Sequence, residues 1–369
     1  MLDPERTSRD IPSRREYMTS QRREHGRRLM GVFPAQYPRE ILWAMNILPV
    51  EIWDPPLEVS RSNGHLQSYI CSVVKLGLEL ILQGHCEDLD GFLFPHTCDS
   101  IQNMASIVHD YLGVEKPCYF FYHPKAPYRD SSRKFYRHEL KELITSLERQ
   151  FGPMDPADLK QSLERSREVA SLQKESYRLR AKGEFGVSNA DFYRVIRLNE
   201  YLHPDDLIPL LRRFIADGRR ADRARKRIIL SGILPNPPEL QDLLDSLGVR
   251  ISDDDLLNCG RRLLASPGGQ GDPLQALSDG YFSMPPCSTR NSTIEERMSH
   301  LMSMVERSRA QGAIFCMVKF CEPELFDLPQ LVEGLKGNGI PVLLLDTELN
   351  QGLSGQMSTR VEAFVELLG

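Results

Sequence analysis

The sequence has no long apolar run. No stretch approaches the roughly 18 consecutive apolar residues that a membrane-spanning helix requires. The opening segment, MLDPERTSRDIPSRREYMTSQRREHGRR, is charged throughout and lacks the apolar centre of a signal peptide. We therefore expect no membrane partner and predict a cytoplasmic protein.

An excess of positive charge is also missing. The formal net charge of -5 gives the chain no general attraction to nucleic-acid backbones or anionic lipid. Arginines and lysines are dense between Arg212 and Arg227, but this stretch has little aromatic content. We interpret it as a solvated helix face, so we predict no nucleic-acid partner.

Two common ligand-binding motifs are absent. There is no Gly-x-x-x-x-Gly-Lys-Ser/Thr loop, so we do not expect this chain itself to bind ATP. There is no Cys-x-x-Cys pair, which disfavours zinc because zinc prefers closely paired local ligands.

Cysteine is the residue type that calls for an explanation. In a reducing cytoplasm an even number of cysteines is poor evidence for disulfides. A buried, unreactive thiol is the common role, and a metal or cluster ligand is the alternative. The eight cysteines are Cys71, Cys86, Cys98, Cys118, Cys259, Cys287, Cys316 and Cys321. We assign four of them to packing, namely Cys86, Cys118, Cys259 and Cys316.

The composition is that of a folded protein with a sizeable interior, because 41% of the 369 residues are apolar and 26% are charged. This length suits two domains. We predict a charged helical or flexible segment at 1–27, α/β domain I at 28–150, a helical cover and linker at 151–222, and α/β domain II at 223–369.

The order of apolar runs predicts mainly parallel sheets, because short strand-like runs alternate with amphipathic stretches in both halves. The first half has the strand-like runs RLMGVF, LPVEIW, LDGFLFP and KPCYFFYHP, and a helix is expected over Leu66–Gly84. The second half has KRIILSGIL, VRIS, AIFCMV and IPVLLLD. Thr293 followed by Glu296 predicts a capped helix start. The halves are alike in architecture, without a residue-level repeat.

Several cysteines lie where open α/β sheets place their ligands, just beyond the carboxyl ends of strands. Cys98 follows GFLF, and Cys321 follows AIFCMV. Cys71 leads into a helix or lies early in it, and Cys287 lies in the loop MPPCSTR. This placement predicts thiols pointing at one cleft, although packing remains the alternative for each cysteine.

The blocks around these cysteines resemble those of the 2-hydroxyacyl-CoA dehydratase and benzoyl-CoA reductase subunits of the iron–sulfur D-component type. The blocks are GVFPAQYPREILWAMNILPVEIWDPP, SYICSVVKLGLELILQG, DGFLFPHTCDSIQNMASI, PPCSTR and KFCEPELFD with GQMSTRVEAF. The resemblance implies two Rossmann-like or flavodoxin-like α/β domains joined by a helical segment. It also implies a 4Fe-4S cluster in the inter-domain cleft, held by Cys71, Cys98 and Cys321, since iron–sulfur clusters are held by thiolates.

The same resemblance implies an enzyme of coenzyme A thioesters. An electron reduces the thioester to a radical anion, which in the dehydratases expels the 2-hydroxyl group before the electron is recycled. We predict a 2-hydroxyacyl-CoA dehydratase subunit, a lyase of anaerobic metabolism. The alternatives are a benzoyl-CoA reductase-type subunit, a small-molecule reductase with a double-cubane cluster, and an electron-relay subunit. The implied partners are a related second subunit, or a second copy of the chain, and an ATP-dependent iron–sulfur activator.

The remaining candidates flank the predicted ligands. We interpret Cys287 as a thiol beside the cluster or a structural residue, with a fourth ligand as the alternative. His96, Lys319 and Glu324 are candidates for tuning the cluster or moving protons, with solvated loop charges as the alternative. Three aspartates follow VRIS at 253–255. We predict no bound cation there, because hard-cation ligands come at spaced positions.

Overall fold

The computed structural model describes residues 13–269 and 271–368. Residues 1–12 of the predicted N-terminal segment lie outside the described residues. In the described part, eight strands form two sheets. The strands are β1 (Arg28–Val32), β2 (Ile47–Glu51), β3 (Gly91–Pro95), β4 (Cys118–Phe121), β5 (Lys226–Gly232), β6 (Val249–Leu256), β7 (Gly312–Val318) and β8 (Val342–Thr347).

Helices connect and cover the strands. In chain order they are α1 (Arg14–His25), α2 (Arg39–Ala44), α3 (Ser72–Leu82), α4 (Asp99–Ser106), α5 (Asp130–Phe151), α6 (Pro156–Lys182), α7 (Asn189–Ile196), α8 (Pro204–Gly218), α9 (Pro238–Ser246), α10 (Gly260–Leu263), α11 (Pro273–Phe282), α12 (Ile294–Ser308), α13 (Glu322–Gly337) and α14 (Gly355–Leu367). None of these helices combines the length and the apolar content needed to cross a membrane.

The two sheets have the same topology. Their strand orders are β2-β1-β3-β4 and β6-β5-β7-β8, and every pairing between neighbouring strands is parallel. Strands such as β2 and β7 are buried along their whole length, as expected for parallel strands covered on both faces. The predicted pair of parallel α/β units is confirmed.

Each sheet reverses its direction of winding at one point, between β1 and β3 and between β5 and β7. Crevices that bind ligands form at such points, beyond the carboxyl ends of the strands. Each sheet therefore offers one such place for a site. In each sheet a predicted ligand cysteine follows the third strand: Cys98 follows β3, and Cys321 follows β7.

A helical layer joins the halves. Helix α6 contacts α2 of the first half and β6 of the second. The buried guanidinium of Arg180, near the end of α6, donates to the Ile251 carbonyl at 2.6 Å and to Asn189 Oδ1 at 2.6 Å. One continuous apolar core includes residues of both sheets. The predicted domain boundaries near 150 and 222 lie at the end of α5 and between α8 and β5, and they stay a prediction.

Local signals set several helix starts correctly. The Thr293 hydroxyl accepts from the Glu296 N–H at 3.2 Å, and the Glu296 carboxylate accepts from the Thr293 N–H at 3.0 Å. This reciprocal cap satisfies backbone donors that have no partner within the helix. The predicted start of α12 is confirmed.

The helix expected over Leu66–Gly84 is shorter than predicted and begins only at Ser72. The preceding chain turns around the buried carboxylate of Glu79, which accepts from the backbone N–H groups of Ser60 and Ser62 at 3.0 and 2.9 Å. These contacts hold the chain in a loop, so Cys71 is the residue immediately before the helix rather than inside it.

The strand expected at VRIS is longer than predicted, because β6 continues through the three aspartates. All three carboxylates are buried and paired. Asp253 accepts from Arg307 at 2.7 Å, and Asp254 accepts from two tyrosine hydroxyls at 2.7 and 3.0 Å. Asp255 pairs with two buried arginines. Charged residues can occupy this buried edge strand because each has its own partner.

Candidate functional site

The three cysteines with the strongest sequence signal occupy equivalent positions at helix starts. Cys71, Cys98 and Cys321 are each the residue before the first turn of a helix, namely α3, α4 and α13. Cys98 follows the third strand of the first sheet, and Cys321 follows the third strand of the second. Two of the thiols thus come from one half and the third from the other.

These three cysteines line one cavity between the halves. Its volume is about 40 Å³, and its other lining residues are almost all apolar. They are Pro34, Trp53, Val73, Val74, Thr97 and Ile101 from the first half, and Ile233, Leu257, Thr289, Val318 and Pro323 from the second. The cavity therefore presents thiols in surroundings that exclude water.

Burial in this cavity raises the pKa values of all three thiols. Burial, with a smaller contribution from the nearby Cys98, raises the pKa of Cys71 to about 12. Burial also raises the pKa of Cys321 well above its ordinary value, with contributions from Cys71, Glu324 and Cys98. Without a metal the thiols are neutral, because three thiolates would repel one another in an apolar cavity. A metal replaces the protons when it binds.

The N–H groups in the first helical turns favour the thiolate form of two of the cysteines, although neither side chain accepts a capping hydrogen bond. Those of Val73 and Val74 lower the pKa of the Cys71 thiol, and those of Ser100 and Ile101 lower that of Cys98, both against the larger effect of burial. Such donors at helix N-termini stabilise negative charge on sulfur. The first turns of the helices therefore partly offset the cost of forming thiolates in this cavity.

A single metal ion and an iron–sulfur cluster need different arrangements of ligands. Among residues 13–269 and 271–368, no three Cys, His, Asp or Glu side chains converge closely enough to bind one metal ion. In a cluster each thiolate binds a different iron, so the ligands can stand farther apart around the group. The chemistry of three thiols in a mainly apolar cavity is compatible with such a cluster.

Cys287 lies beside this cavity rather than in its wall. Its thiol is fully buried, and Sγ is 3.1 Å from Thr289 Oγ1, 3.9 Å from an Arg261 nitrogen and 4.0 Å from Gln36 Nε2. Its neighbour Thr289 does line the cavity. This position agrees with a thiol near a cluster, and the role of Cys287 stays a prediction.

Glu324 belongs to a buried network of charges. Arg261 makes two hydrogen bonds to each of Asp255 and Glu324, including 2.8 and 2.9 Å to Asp255 and 3.0 Å to Glu324 Oε2. Arg297 Nη2 lies 3.1 Å from Asp255 and 3.6 Å from Glu324. Burial raises the pKa of Asp255, but the two arginines outweigh it and bring it to about 2. Burial also raises the pKa of Glu324, but Arg261 and Arg297 lower it by more, so its pKa lies below the ordinary value.

The other two proton-transfer candidates lie outside the cavity wall. His96 Nε2 is 3.3 Å from Asp99 Oδ1, and its ring packs edge-on against Tyr122. Lys319 Nζ is 3.5 Å from Glu348 and lines a separate cavity of about 440 Å³. The structure thus brings the three cysteines together but does not place His96 or Lys319 with them, and their roles stay predictions.

Sequence reasoning missed one charged residue of the site. Lys125 Nζ donates to the carbonyl of Thr97 at 2.8 Å and to that of Thr289 at 2.9 Å. Both of these residues line the cysteine cavity. A signal was available, because Lys125 follows the strand-like run KPCYFFYHP just as Cys98 follows GFLF.

Comparison with known proteins identifies the family. The model of a family described as 2-hydroxyglutaryl-CoA dehydratase, D-component, matches residues 34–368. The chain belongs to this family. The membership confirms the family predicted from the sequence and the prediction of a dehydratase-type enzyme subunit.

Curated relatives of this D-component chain match it over nearly the full length. The beta subunit of lactoyl-CoA dehydratase from Anaerotignum propionicum is 24% identical over 95% of this chain and 94% of its own. A benzoyl-CoA reductase subunit from Thauera aromatica is 28% identical over 88% and 87%. The beta subunit of (R)-phenyllactyl-CoA dehydratase from Clostridium sporogenes is 24% identical over 97% and 96%.

Proposed function

We propose that this chain is the iron–sulfur subunit of a 2-hydroxyacyl-CoA dehydratase. The observation that supports the proposal most strongly is the single apolar cavity that Cys71, Cys98 and Cys321 line between the two halves. Family membership supplies the thioester chemistry. When bound, a 4Fe-4S cluster would supply single electrons at low potential.

The residues around the cavity have distinct tasks in this proposal. Cys71, Cys98 and Cys321 would hold the cluster through their thiolates. The apolar walls keep water away and so strengthen every charge interaction inside. The Arg261 network fixes the first turn of α13, because it holds Glu324 three residues after Cys321.

The overall reaction consumes no net electrons. One electron enters the thioester carbonyl, hydroxide leaves from C2, a proton leaves from C3, and the electron is given back. A 2-hydroxyacyl-CoA thus becomes a 2-enoyl-CoA and water. No net reductant is consumed, so an ATP-dependent activator is needed only to start the cycle.

The names of the relatives as enzyme subunits support a partner subunit for this chain. We propose a related second subunit for this chain, with a second copy of the chain as the alternative, and an iron–sulfur activator that hydrolyses ATP. All eight cysteines are free, which suits the reducing cytoplasm.

Iron and sulfide content tests the cluster. Protein purified without oxygen should contain about four irons per chain, and each Cys→Ser variant at position 71, 98 or 321 should lose most of the iron and the brown absorbance. Cys118→Ser, at a half-buried position in β4, is the matched control and should keep both. Full iron in all three variants would overturn the ligand assignment, and about eight irons would favour a double-cubane cluster.

Ring reduction is the second candidate, because the benzoyl-CoA reductase subunit is as similar to this chain as the dehydratase subunits are. The complete enzyme should be assayed against 2-hydroxyacyl-CoA and aryl-CoA thioesters. Dehydration predicts ATP and reductant use only at initiation. Consumption of ATP and reductant in proportion to product, with a dearomatised thioester accumulating, would establish ring reduction instead.

A further inference from the structure

The loop after β4 is clamped between the two halves. The Tyr281 hydroxyl donates to the Pro124 carbonyl at 2.6 Å and lies 2.9 Å from His123 Nδ1. The Ala126 N–H donates to the Arg290 carbonyl at 2.8 Å. Both neighbours of Lys125 are therefore held by residues of the second half, and the lysine side chain starts from a fixed position.

The Lys125 ammonium group lies beside the cysteine cavity, against the carbonyls of two residues that line it. It bridges the carbonyl of Thr97, the residue before Cys98, and that of Thr289, two residues after Cys287. Lys125 takes part in none of the ion pairs found among the described residues. No carboxylate in the described part of the chain therefore neutralises its charge by contact.

The charge acts on the thiols of the site. Burial lowers the pKa of Lys125, while negative charge at Cys98, Asp99 and Cys287 would raise it. Lys125 Nζ lies 2.8 Å from the carbonyl of Thr97, the residue before Cys98, so its charge is held close to a proposed cluster ligand. A cation fixed beside the thiolates of a cluster favours the reduced form, because reduction adds one negative charge to the group.

We propose that Lys125 is a positioning residue of the cluster site: it ties the Cys98 loop to the Thr289 loop and raises the reduction potential of the cluster through its fixed positive charge. This inference rests on the proposed function, because it requires the cluster. It goes beyond that function by assigning a residue that controls how easily the electron is accepted.

The reduction potential of the cluster tests the inference. The wild-type chain and the Lys125→Met, Lys125→Arg and Lys141→Met variants are purified without oxygen, and their iron content and midpoint potential are measured. Lys141 is an exposed lysine on α5 and serves as the charge-matched control. Lys125→Met should lower the equilibrium constant for reduction at least tenfold, a negative shift of about 59 mV for one electron. Lys125→Arg should restore most of the shift, and Lys141→Met should leave the potential unchanged.

The outcomes separate this inference from the proposed function. A wild-type chain without iron would overturn both. Iron in the wild type, together with the same potential in Lys125→Met, would overturn only the role of Lys125. If Lys125→Met loses its iron, the potential of Lys125→Gln is measured instead. Its neutral amide can still donate hydrogen bonds to the two carbonyls, so this variant removes the charge and keeps donors. An unchanged potential in Lys125→Gln refutes the inference, and a negative shift supports it.

Discussion

A buried ion pair joins the end of β2 to the helix that follows β6. Both Glu51 oxygens accept from Arg262, at 2.8 and 2.6 Å, and both side chains are almost completely buried. The Arg262 guanidinium also lies over the ring of Trp53, which lines the cysteine cavity. Replacing Arg262 with methionine keeps most of the volume and removes the charge, so this variant tests what holds the two halves together.

The cost of Arg262→Met follows from what remains around Glu51. Its carboxylate keeps Tyr37 at 2.9 Å, Trp53 at 2.8 Å and Arg39 at 3.3 Å. Removing one partner of a buried pair costs about 3–5 kcal/mol, because an incompletely compensated charge is left inside. Arg39 compensates in part, so we expect a loss near the lower limit, about 3 kcal/mol.

The loss should depend on pH in a defined direction. In the wild type, burial raises the pKa of Glu51, but Arg262 and Arg39 lower it by more. Its stabilising contribution is therefore present above the unfolded value of about 4.3 and is lost as the pH falls through the lower folded pKa. Without Arg262, burial dominates and the folded-state pKa rises. The deficit of Arg262→Met should then shrink as the pH is lowered from 7 towards 5.

Urea unfolding of the variants at pH 7 and pH 5.5 measures these effects. Adding Glu51→Gln to Arg262→Met should recover part of the stability, because no charge is then buried alone. Arg133→Met is the control, since Arg133 and Asp279 form an exposed pair at 3.4 Å and its loss should cost less than about 1 kcal/mol. A cost below about 1 kcal/mol for Arg262→Met at pH 7 would refute the reasoning.

Three further predictions concern separate parts of the molecule. Cys287→Ser should keep its iron, measured beside Cys98→Ser, because its thiol does not line the cavity; an equal loss in both would make it a ligand. Asp255 has its pKa lowered to about 2, so its contribution is present above the unfolded value of about 3.9 and is lost as the pH falls to 2. Asp255→Asn should therefore lose less stability than the wild type between pH 4 and 2, as measured by the midpoints of urea unfolding. Parallel curves of midpoint against pH for the two proteins would contradict this. Thr293→Ala should cost about 1 kcal/mol by urea unfolding through loss of the helix cap, whereas Thr293→Ser should be nearly neutral and an equal cost for both would exclude the cap as the cause.

Features that depend on neighbouring residues could be predicted from the sequence, and features that depend on distant partners could not. The start of α12 follows from Thr293 and Glu296, three residues apart. Asp255 was not expected inside a strand, because its partners Arg261 and Arg297 lie beyond the strand in helices α10 and α12. The position of Lys125 after a strand was a signal in the sequence, but its contact with the Thr289 carbonyl, 164 residues further along the chain, could not be predicted from it.

The candidate ligands are also separated along the chain, which bears on how the site could be assembled. Cys71 and Cys98 lie in the first third of the polypeptide, whereas Cys321 is among the last 50 or so residues to be synthesised. A cluster held by all three would close a very long loop of chain, so it would gain most of its ligation only after both sheets had folded and docked. Iron insertion would then be a late step of biogenesis that reports on the correct pairing of the halves. A chain truncated before Cys321 would keep its first sheet but only two of the three candidate ligands, Cys71 and Cys98.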